Sequence, residues 1–526
     1  MPVVKKLLLI SAAVLFYFKP YAQKGKLEWG DLEKKNRNTP FMAQVLKGPG
    51  TDIITLGFRR QGGSTISPVI SRFDEKLNQV MEKELFASEK DMTFNNIFNL
   101  RGNLVLFSKQ YDKEERFSAL HAAQIDPVTL AVTGAKELGK YEAIKKSNQA
   151  TITVMPSPDS SLVLVMANAP YAKNENEKFF ISVYDNKMNS IWEKTIQLPY
   201  ADKYVVIDEF QISNEGDVYV MCKHYDREVS REKVREDGIN VPSYKYKVFI
   251  YSKDKAKPTE HTIDVQDKFV HDIALQFNND GNIAMMGLYK DLYNSNISGT
   301  FMGLFDKNTK LITVKKMEKF PKQQLVDLVS KDGCGSRKES NPGLYNRFRI
   351  IGTNKRNDGS VDLLTEYNYM YIHRTYNSST GYYTEYPVYV ADDIVVINYG
   401  KDGKISYARV PKHQRQTVTN ANVSFVWMNQ GNNLLLFYND VKKNIDRSLE
   451  KGPKYIKTFS SSEFVMATIN SKGDLQRESI FSNKGMDVVA KITSCRSVAD
   501  NTLIIYAEKS HQLAKTRMQF GRLKFN

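Results

Sequence analysis

The sequence predicts an all-β protein: a β-propeller of about eight four-stranded blades, with seven as the alternative count, closed into a ring by an N-terminal strand. Three observations lead there. Strand hairpins recur along nearly the whole chain, their extra length falls on one side of each repeat, and the last repeat is one strand short. Two hairpins show the recurrence. Ser71-Arg-Phe-Asp-Glu-Lys-Leu-Asn-Gln-Val-Met-Glu-Lys-Glu-Leu85 and Ser182-Val-Tyr-Asp-Asn-Lys-Met-Asn-Ser-Ile-Trp-Glu-Lys-Thr-Ile196 each read as an alternating strand, a turn opened by Asp and a second strand. They lie about 110 residues apart, two units of the size of a propeller blade.

Residues 205–265 show the full order of events. Val205 to Ile212 forms a strand, Ser213-Asn-Glu-Gly-Asp217 a turn and Val218-Tyr-Val-Met-Cys222 a more apolar strand. After a charged stretch come a strand from Tyr244 to Tyr251, the turn Ser252-Lys-Asp-Lys255 and a last strand near His261 to Val265. Turns of Gly, Asn and Asp supply the φ > 0 positions that join strands in hairpins. The first turn recurs at Leu100–Asn103, Ser157–Ser160, Asn278–Gly281, Asn357–Gly359 and Asn429–Gly431. The third recurs at Asp74, Asp126, Asp185, Asp306, Lys401–Gly403 and Ser471–Gly473. Two separate sandwiches are the competing architecture, but no Pro/Gly/Ser-rich linker divides the chain.

The final unit has strands near Val488–Thr493, Thr502–Ala507 and Thr516–Phe525. Leu27-Glu-Trp-Gly-Asp-Leu32 is expected to supply the missing one, because an unclosed array leaves sheet edges bare. Through hairpins such as Phe301-Met-Gly-Leu-Phe-Asp-Lys-Asn-Thr-Lys310 the chain resembles the broad class of secreted bacterial β-propellers. It lacks the WD40 signature, a Gly-Gly kelch pattern and the sialidase Asp-box. With only Trp29, Trp192 and Trp427 it also lacks the per-blade Trp of quinone-dependent dehydrogenases.

Residues 1–22 read as a signal peptide. Lys5 and Lys6 precede the apolar run Leu7 to Phe18, and the small residue Ala22 precedes the cleavage site. Residues 23–526 form the single propeller domain, directed to the periplasm or outer membrane rather than to the medium. Three cysteines, Cys222, Cys334 and Cys495, are too few and too odd in number for a disulfide framework. The formal charge of +16 would suit nucleic acid, but export argues against it. Anionic envelope polymers or acidic protein partners fit better.

In a four-stranded blade, turns one and three open on one face; turn two and the blade-to-blade crossover open on the other. The second turns are the long ones, at Lys109–Arg116, Asn168–Lys178, Asp226–Ser243, Tyr289–Ser298, Tyr371–Glu385 and Asp440–Ser462. The crossovers Pro321–Tyr345 and Pro411–Asn420 enlarge the same face, so it is the expected binding face. Within it, the stretch from Tyr367 to Tyr389 holds eight tyrosines. Tyr367, Tyr369, Tyr371 and Tyr389 are expected to be cross-strand pairs that hold a hairpin. Tyr376, Tyr382, Tyr383 and Arg374 near its tip are the candidate binding residues. Asp226–Asp237 reads as a charged excursion, and Lys322–Ser330 as a helical cap on a blade.

Catalytic motifs are absent. The seven histidines, among them His413, make no His-Glu-x-x-His or Cys/His pattern, so no metal or cofactor is implied. Cys334, in Gly333-Cys-Gly-Ser336, is a candidate reactive thiol set against a plain glycine-rich loop, whereas Cys222 and Cys495 read as core. The mouths of the innermost strands carry Asn95, Asn96, Asp208, Glu209, His271, Asp272, Asn420, Asn422 and Arg496. Asp208, Glu209, His271 and Asp272 are the catalytic candidates, since adjacent blades would bring carboxylates and an imidazole together.

These readings converge on a non-catalytic binding or scaffold module of the cell envelope, a monomeric ring whose elaborated face docks a protein partner or an envelope glycan. The alternatives are a glycoside hydrolase or polysaccharide lyase working in the central funnel, and a periplasmic subunit of an outer-membrane assembly.

Overall fold

The computed structural model describes residues 25–525 except 37, 61–65, 87–91, 146, 171–173, 227–232, 237–238, 264, 266–267, 279–281, 307, 310, 322–333, 337, 339–341, 380 and 510–515. The expected signal peptide, the helical cap at Lys322–Ser330 and much of Asp226–Asp237 lie outside the described residues. Lys233–Glu236, in that last stretch, is extended and pairs antiparallel with Ile239–Pro242 beyond it.

Among the described residues, eight antiparallel sheets of four or more strands follow one another along the chain. Blade 1 comprises Phe41–Lys47, Ile53–Arg60, Ile66–Phe73 and Gln79–Glu84. Blades 2 to 7 cover residues 92–145, 151–201, 205–263, 268–319, 348–410 and 426–482. Blade 8 takes its inner three strands from Arg496–Ala499, Thr502–Lys509 and Arg517–Lys524, and its outermost strand from Lys26–Trp29. The blade count is therefore eight, and the sandwich alternative fails.

Period-two alternation builds the ring. In the second strand of blade 3, Val163, Val165 and Ala167 pack against blade 2, while Leu164 and Met166 pack against blade 4. Each strand residue thus faces one neighbour or the other. All eight apolar clusters straddle two consecutive blades, including one shared by Val45, Ile53 and Phe73 of blade 1 with Ile504, Tyr506 and Phe520 of blade 8. The core is a cycle of interfaces. Outermost strands such as Gln79–Glu84 have solvent on one side and carry charge instead.

At the seam, Lys26, Leu27, Glu28 and Trp29 pair with Lys524, Leu523, Arg522 and Gly521. The expected strand at Leu27–Leu32 is thus present but shifted, ending at Trp29 and resuming as Glu33–Lys34 against Met518 and Arg517. Gly521 has a packing reason. A Cβ there would lie 2.9 Å from the Trp29 ring, which also meets Phe481 edge-on at 5.1 Å.

The innermost strands of blades 2, 4 and 5 each hold one residue more than the ladder requires: Asn95, Asp208 and His271. A bulge re-aims side chains and so presents consecutive residues to the channel. The first and third turns stay short, as between Leu100 and Asn103. The opposite face carries the connections from Tyr225 to Tyr244, Asp440 to Glu463 and Lys319 to Phe348.

Candidate functional site

The most elaborated element of that face belongs to blade 6. Its two central strands, Val361–Asn377 and Tyr382–Tyr399, run well past the blade as a two-stranded arm. Residues 382–393 of the second strand add to the elaborated side, and Gln414–Thr417 returns from the crossover to pair with Val388–Ala391 at the arm's foot.

Register sorts the arm into two faces. Met370 opposes Tyr389, Ile372 opposes Pro387, Arg374 opposes Glu385 and Tyr376 opposes Tyr383, so all eight lie on one face. Val418 continues that row, its N–H donating to Pro387 O at 2.9 Å. This face is apolar and open: Met370 is 53 % exposed, Ile372 55 % and Val418 70 %. Val418 also sits at φ 70°, a strained conformation for a β-branched residue. Towards the tip, Tyr376 and Tyr383 pack at 5.0 Å, the Arg374 guanidinium lies 4.2 Å over Tyr383, and Arg374 pairs with Glu385 at 3.0 Å. Tyr382 falls on the other face, exposed. Tyr367, Tyr369 and Tyr371 form a ring ladder along one strand instead of the expected cross-strand pairs: Tyr369 and Tyr371 oppose Val390 and Val388, and Tyr389 lies on the other face opposite Met370, because alternation sets residues i and i+2 of one strand side by side.

Where arm meets blade, the ladder breaks. Between the pairs Glu366–Ile394 and Asn368–Ala391, the second strand places two residues, Asp392 and Asp393, opposite one, Tyr367. The neighbouring strand breaks at the same level, between Ile405–Val410 and Gln414–Thr417, and sets Lys412 and His413 against the two carboxylates. His413 Nδ1 lies 2.7 Å from Asp392 Oδ1, which also accepts the Gln414 N–H at 3.0 Å. Arg409 Nε donates to Asp393 Oδ2 at 2.9 Å. Lys412 Nζ, fully buried, lies 2.8 Å from Glu366 Oε1 and donates to Ala391 O at 2.7 Å. Burying so many charges is unfavourable unless each is paired, and here they are. The cluster borders a polar cavity of about 540 Å³, walled by Tyr345, Tyr367, Tyr369, His413, Arg415 and Arg447.

The funnel candidates divide. Asp208, His271 and Asp272 line one cavity of about 410 Å³; Glu209 is not among its lining residues. Asp272 is engaged structurally: Oδ1 accepts Ile273 N–H at 3.0 Å, and Oδ2 accepts Ile350 N–H at 2.9 Å from the next blade. Burial raises its carboxyl despite those two donors. Tyr246 Oη donates to Asp208 Oδ2 at 3.1 Å. Burial lifts Glu209 to about 7, opposed by a hydrogen bond from Gln211 and aided by Asp208 and Asp272. Burial, with Lys290 adding to it, lowers His271 to about 3, so the ring is neutral. Its Nε2 lies 2.9 Å from both Phe348 O and Arg349 Nη1. Asn95 Nδ2 likewise donates to Ile152 O of the following blade. Channel-mouth polar groups therefore serve largely as latches between blades. Asn422, expected at a mouth, is buried and donates to Ala490 O at 2.9 Å.

No family model matches the chain, and no curated protein matches it. Solved structures do. The β-propeller domain of the Trilobed protease from Pyrococcus furiosus matches at 10 % identity and TM-score 0.33, over 73 % of this chain and 97 % of that one. The WD40 domain of SCAP from fission yeast matches at 8 % identity and TM-score 0.35, over 95 % and 98 %. The Penicillium chrysogenum α-L-arabinanase complexed with arabinobiose matches at 8 % identity and TM-score 0.30, over 74 % and 99 %. The chain is a β-propeller. At such identities the likeness extends to fold alone.

As a propeller, the chain gives Cys334 no nucleophilic setting. Burial pushes its thiol well up, and Asp393 and Asp392 push it further. Cys222 and Cys495 are core, as expected. The Asp392–His413 contact escaped the sequence reading. Its available signal was the Asp-Asp doublet interrupting the otherwise apolar run Val388 to Ile397. Among the described residues, no helix is long and apolar enough to cross a membrane.

Proposed function

We propose that the chain is an exported β-propeller of the cell envelope that works as a binding module, docking a protein partner through the blade 6 arm. One observation carries the reading: the exposed row Met370, Ile372, Val418, Tyr376 and Tyr383 on the antiparallel ladder of the arm. Exposed Met and Ile beside Tyr and Arg resemble the core of a protein interface, where such side chains exclude water. A neutral glycan would favour flat aromatic plates alone, so a protein is the better fit to this face. The strain at Val418 supports the same reading, since strained residues cluster at binding elements.

A hydrolase working in the funnel has less support, because Asp272 holds two backbone N–H groups and His271 bridges blades. Attachment to an outer-membrane complex is compatible with the binding reading and names a place for the partner. The test is capture from envelope extract with the mature chain and with a variant whose Tyr371–Glu385 segment is replaced by an Asn-Gly turn. A partner recovered only by the intact arm is expected; unchanged recovery overturns the reading.

A further inference from the structure

The face of the arm opposite the apolar row has a different chemistry. Tyr369 pairs with Val390, and Val390 with Arg415, so Tyr369 and Arg415 project on the same side of the three-stranded foot. His413, two residues before Arg415, projects there as well. This side forms the wall of the 540 Å³ cavity. From its geometry we infer that the cavity is a binding site for an acidic saccharide, a sugar residue carrying a carboxylate.

Charge is the first ground. Lys412 and Arg409 are consumed by Glu366 and Asp393, but two further cations are not. Arg415 is exposed, and among the described residues its guanidinium has no ion pair or hydrogen bond. Arg447 uses Nε to donate to Gly452 O at 2.7 Å, which holds the guanidinium plane while its terminal amino groups stay without a partner among the described residues. A guanidinium fixed by Nε and open at its fork is arranged for the two oxygens of a carboxylate.

The second ground is the imidazole. Asp392 holds His413 by Nδ1 at 2.7 Å, and Tyr455 meets the ring at 5.3 Å, so its orientation is set from two sides. Its Nε2 is left unpartnered among the described residues, a polar contact suited to a sugar hydroxyl. The contact at Nδ1 sets the tautomer of the ring and so the role that Nε2 can take toward a hydroxyl.

Aromatic walls are the third. Tyr345, Tyr367 and Tyr369 line the cavity, Tyr345 being 38 % exposed, and Tyr455 stands behind His413. Arg347 covers one side of Tyr369, 3.9 Å from its ring centre, and adds positive charge. Flat rings beside fixed hydrogen-bonding groups suit a sugar; an acidic peptide would need the cations without the plates. The volume falls within the range of small-ligand sites. This inference rests on the elaborated face being the binding face, but not on the arm's protein partner.

The experiment is calorimetric titration of the mature chain with trimers of galacturonate, glucuronate and mannuronate, with their methyl esters, and with pentaglutamate. Saturable binding of at least one uronate trimer is expected, with at least tenfold weakening on esterification. Arg415→Ala and Arg447→Ala should each weaken it at least tenfold, with Arg→Lys recovering part, because Lys keeps the charge and loses the fork. The double variant Met370→Asp/Ile372→Asp, on the other face of the arm, should bind the trimer unchanged, so loss of partner capture and loss of saccharide binding are separable. The inference is overturned if no trimer binds, if ester and acid bind alike, if folded arginine variants bind as the parent does, or if pentaglutamate binds more tightly than every trimer. Thermal melts of each variant establish that it is folded.

Discussion

Arg356 Nε lies 2.8 Å from Asp362 Oδ2, and neither side chain is exposed to solvent. Asn354 and Asn398 donate to the same carboxylate at 2.9 and 2.8 Å, and Arg356 Nη1 donates to Ile469 O at 3.0 Å. Ile469 belongs to blade 7, so a pair made within blade 6 also locks an interface of the ring. Removing one partner of a buried pair leaves an uncompensated charge and typically costs about 3–5 kcal/mol. Asp362→Ala should therefore lower the urea midpoint strongly, while Arg356→Met with Asp362→Leu should lose far less. A single variant within about 0.5 kcal/mol of the parent, the range of ordinary surface changes, would show that the pair contributes little.

Ring closure makes a second prediction. A chain beginning at Asn38 loses the ladder on Arg517–Lys524, each hydrogen bond worth about 0.5–1.5 kcal/mol net. It also loses the packing of Leu27 and Trp29 and the ion pair of Lys35 with Glu508 at 2.8 Å. Limited proteolysis should then begin in blade 8. A melt identical to that of a chain beginning at Gln23 would mean that the seam closes without this strand. In the full-length chain, Gly521→Val should reproduce much of the loss, because its side chain would occupy the space of the Trp29 ring.

The apolar row of the arm is tested without touching the fold. Met370→Asp with Ile372→Asp replaces two exposed side chains, and surface changes of this kind usually stay within about 0.5 kcal/mol. Partner recovery should fall at least tenfold while the melt is unmoved. Equal recovery would remove the arm from the interface.

Acidity should matter in an unusual direction. Burial raises Glu209 and Asp440 each to about 7 in the folded chain. Both hold their protons in the folded state at pH values where the unfolded chain releases them. Stability should fall as pH rises from about 4 to about 7, by up to about 1.4 kcal/mol per unit for each group. Asp440 Oδ1 accepts the Val441 N–H and Asn444 Nδ2 at 2.7 Å each, while Oδ2 is buried without a hydrogen-bond partner among the described residues. Asp440→Asn should flatten part of that slope and match or exceed the parent near pH 8. An unchanged pH profile in the variant would assign the slope elsewhere.

The blades were legible because their turns are chemical. Asp74 and Asp185 open the two compared hairpins, Asp74 accepting the Asn78 N–H and Asp185 the Lys187 and Asn189 N–H groups, all at 2.8 Å. The long second connections were legible as sheer length. Bulges were not: whether Asp208 or Asp392 drops out of a ladder depends on a partner strand, and alternation within one strand carries no mark of it. Nor was the Asp392–His413 contact, made by a crossover that leaves blade 6 and returns to pair with the arm. The funnel carboxylates were located, but their engagement with the next blade's backbone is a property of the assembled ring.

The seam also sets how the ring yields to force. Lys26 lies opposite Lys524 and Trp29 opposite Gly521, so Gly25 and Phe525 lie at the same end of one ladder. Tension between these points loads the hydrogen bonds in sequence, peeling them singly instead of shearing them together. A tether pulled there should open blade 8 first at low force. The remaining blades then lose the cyclic support of blade 1, and the circle becomes a linear stack with two frayed ends.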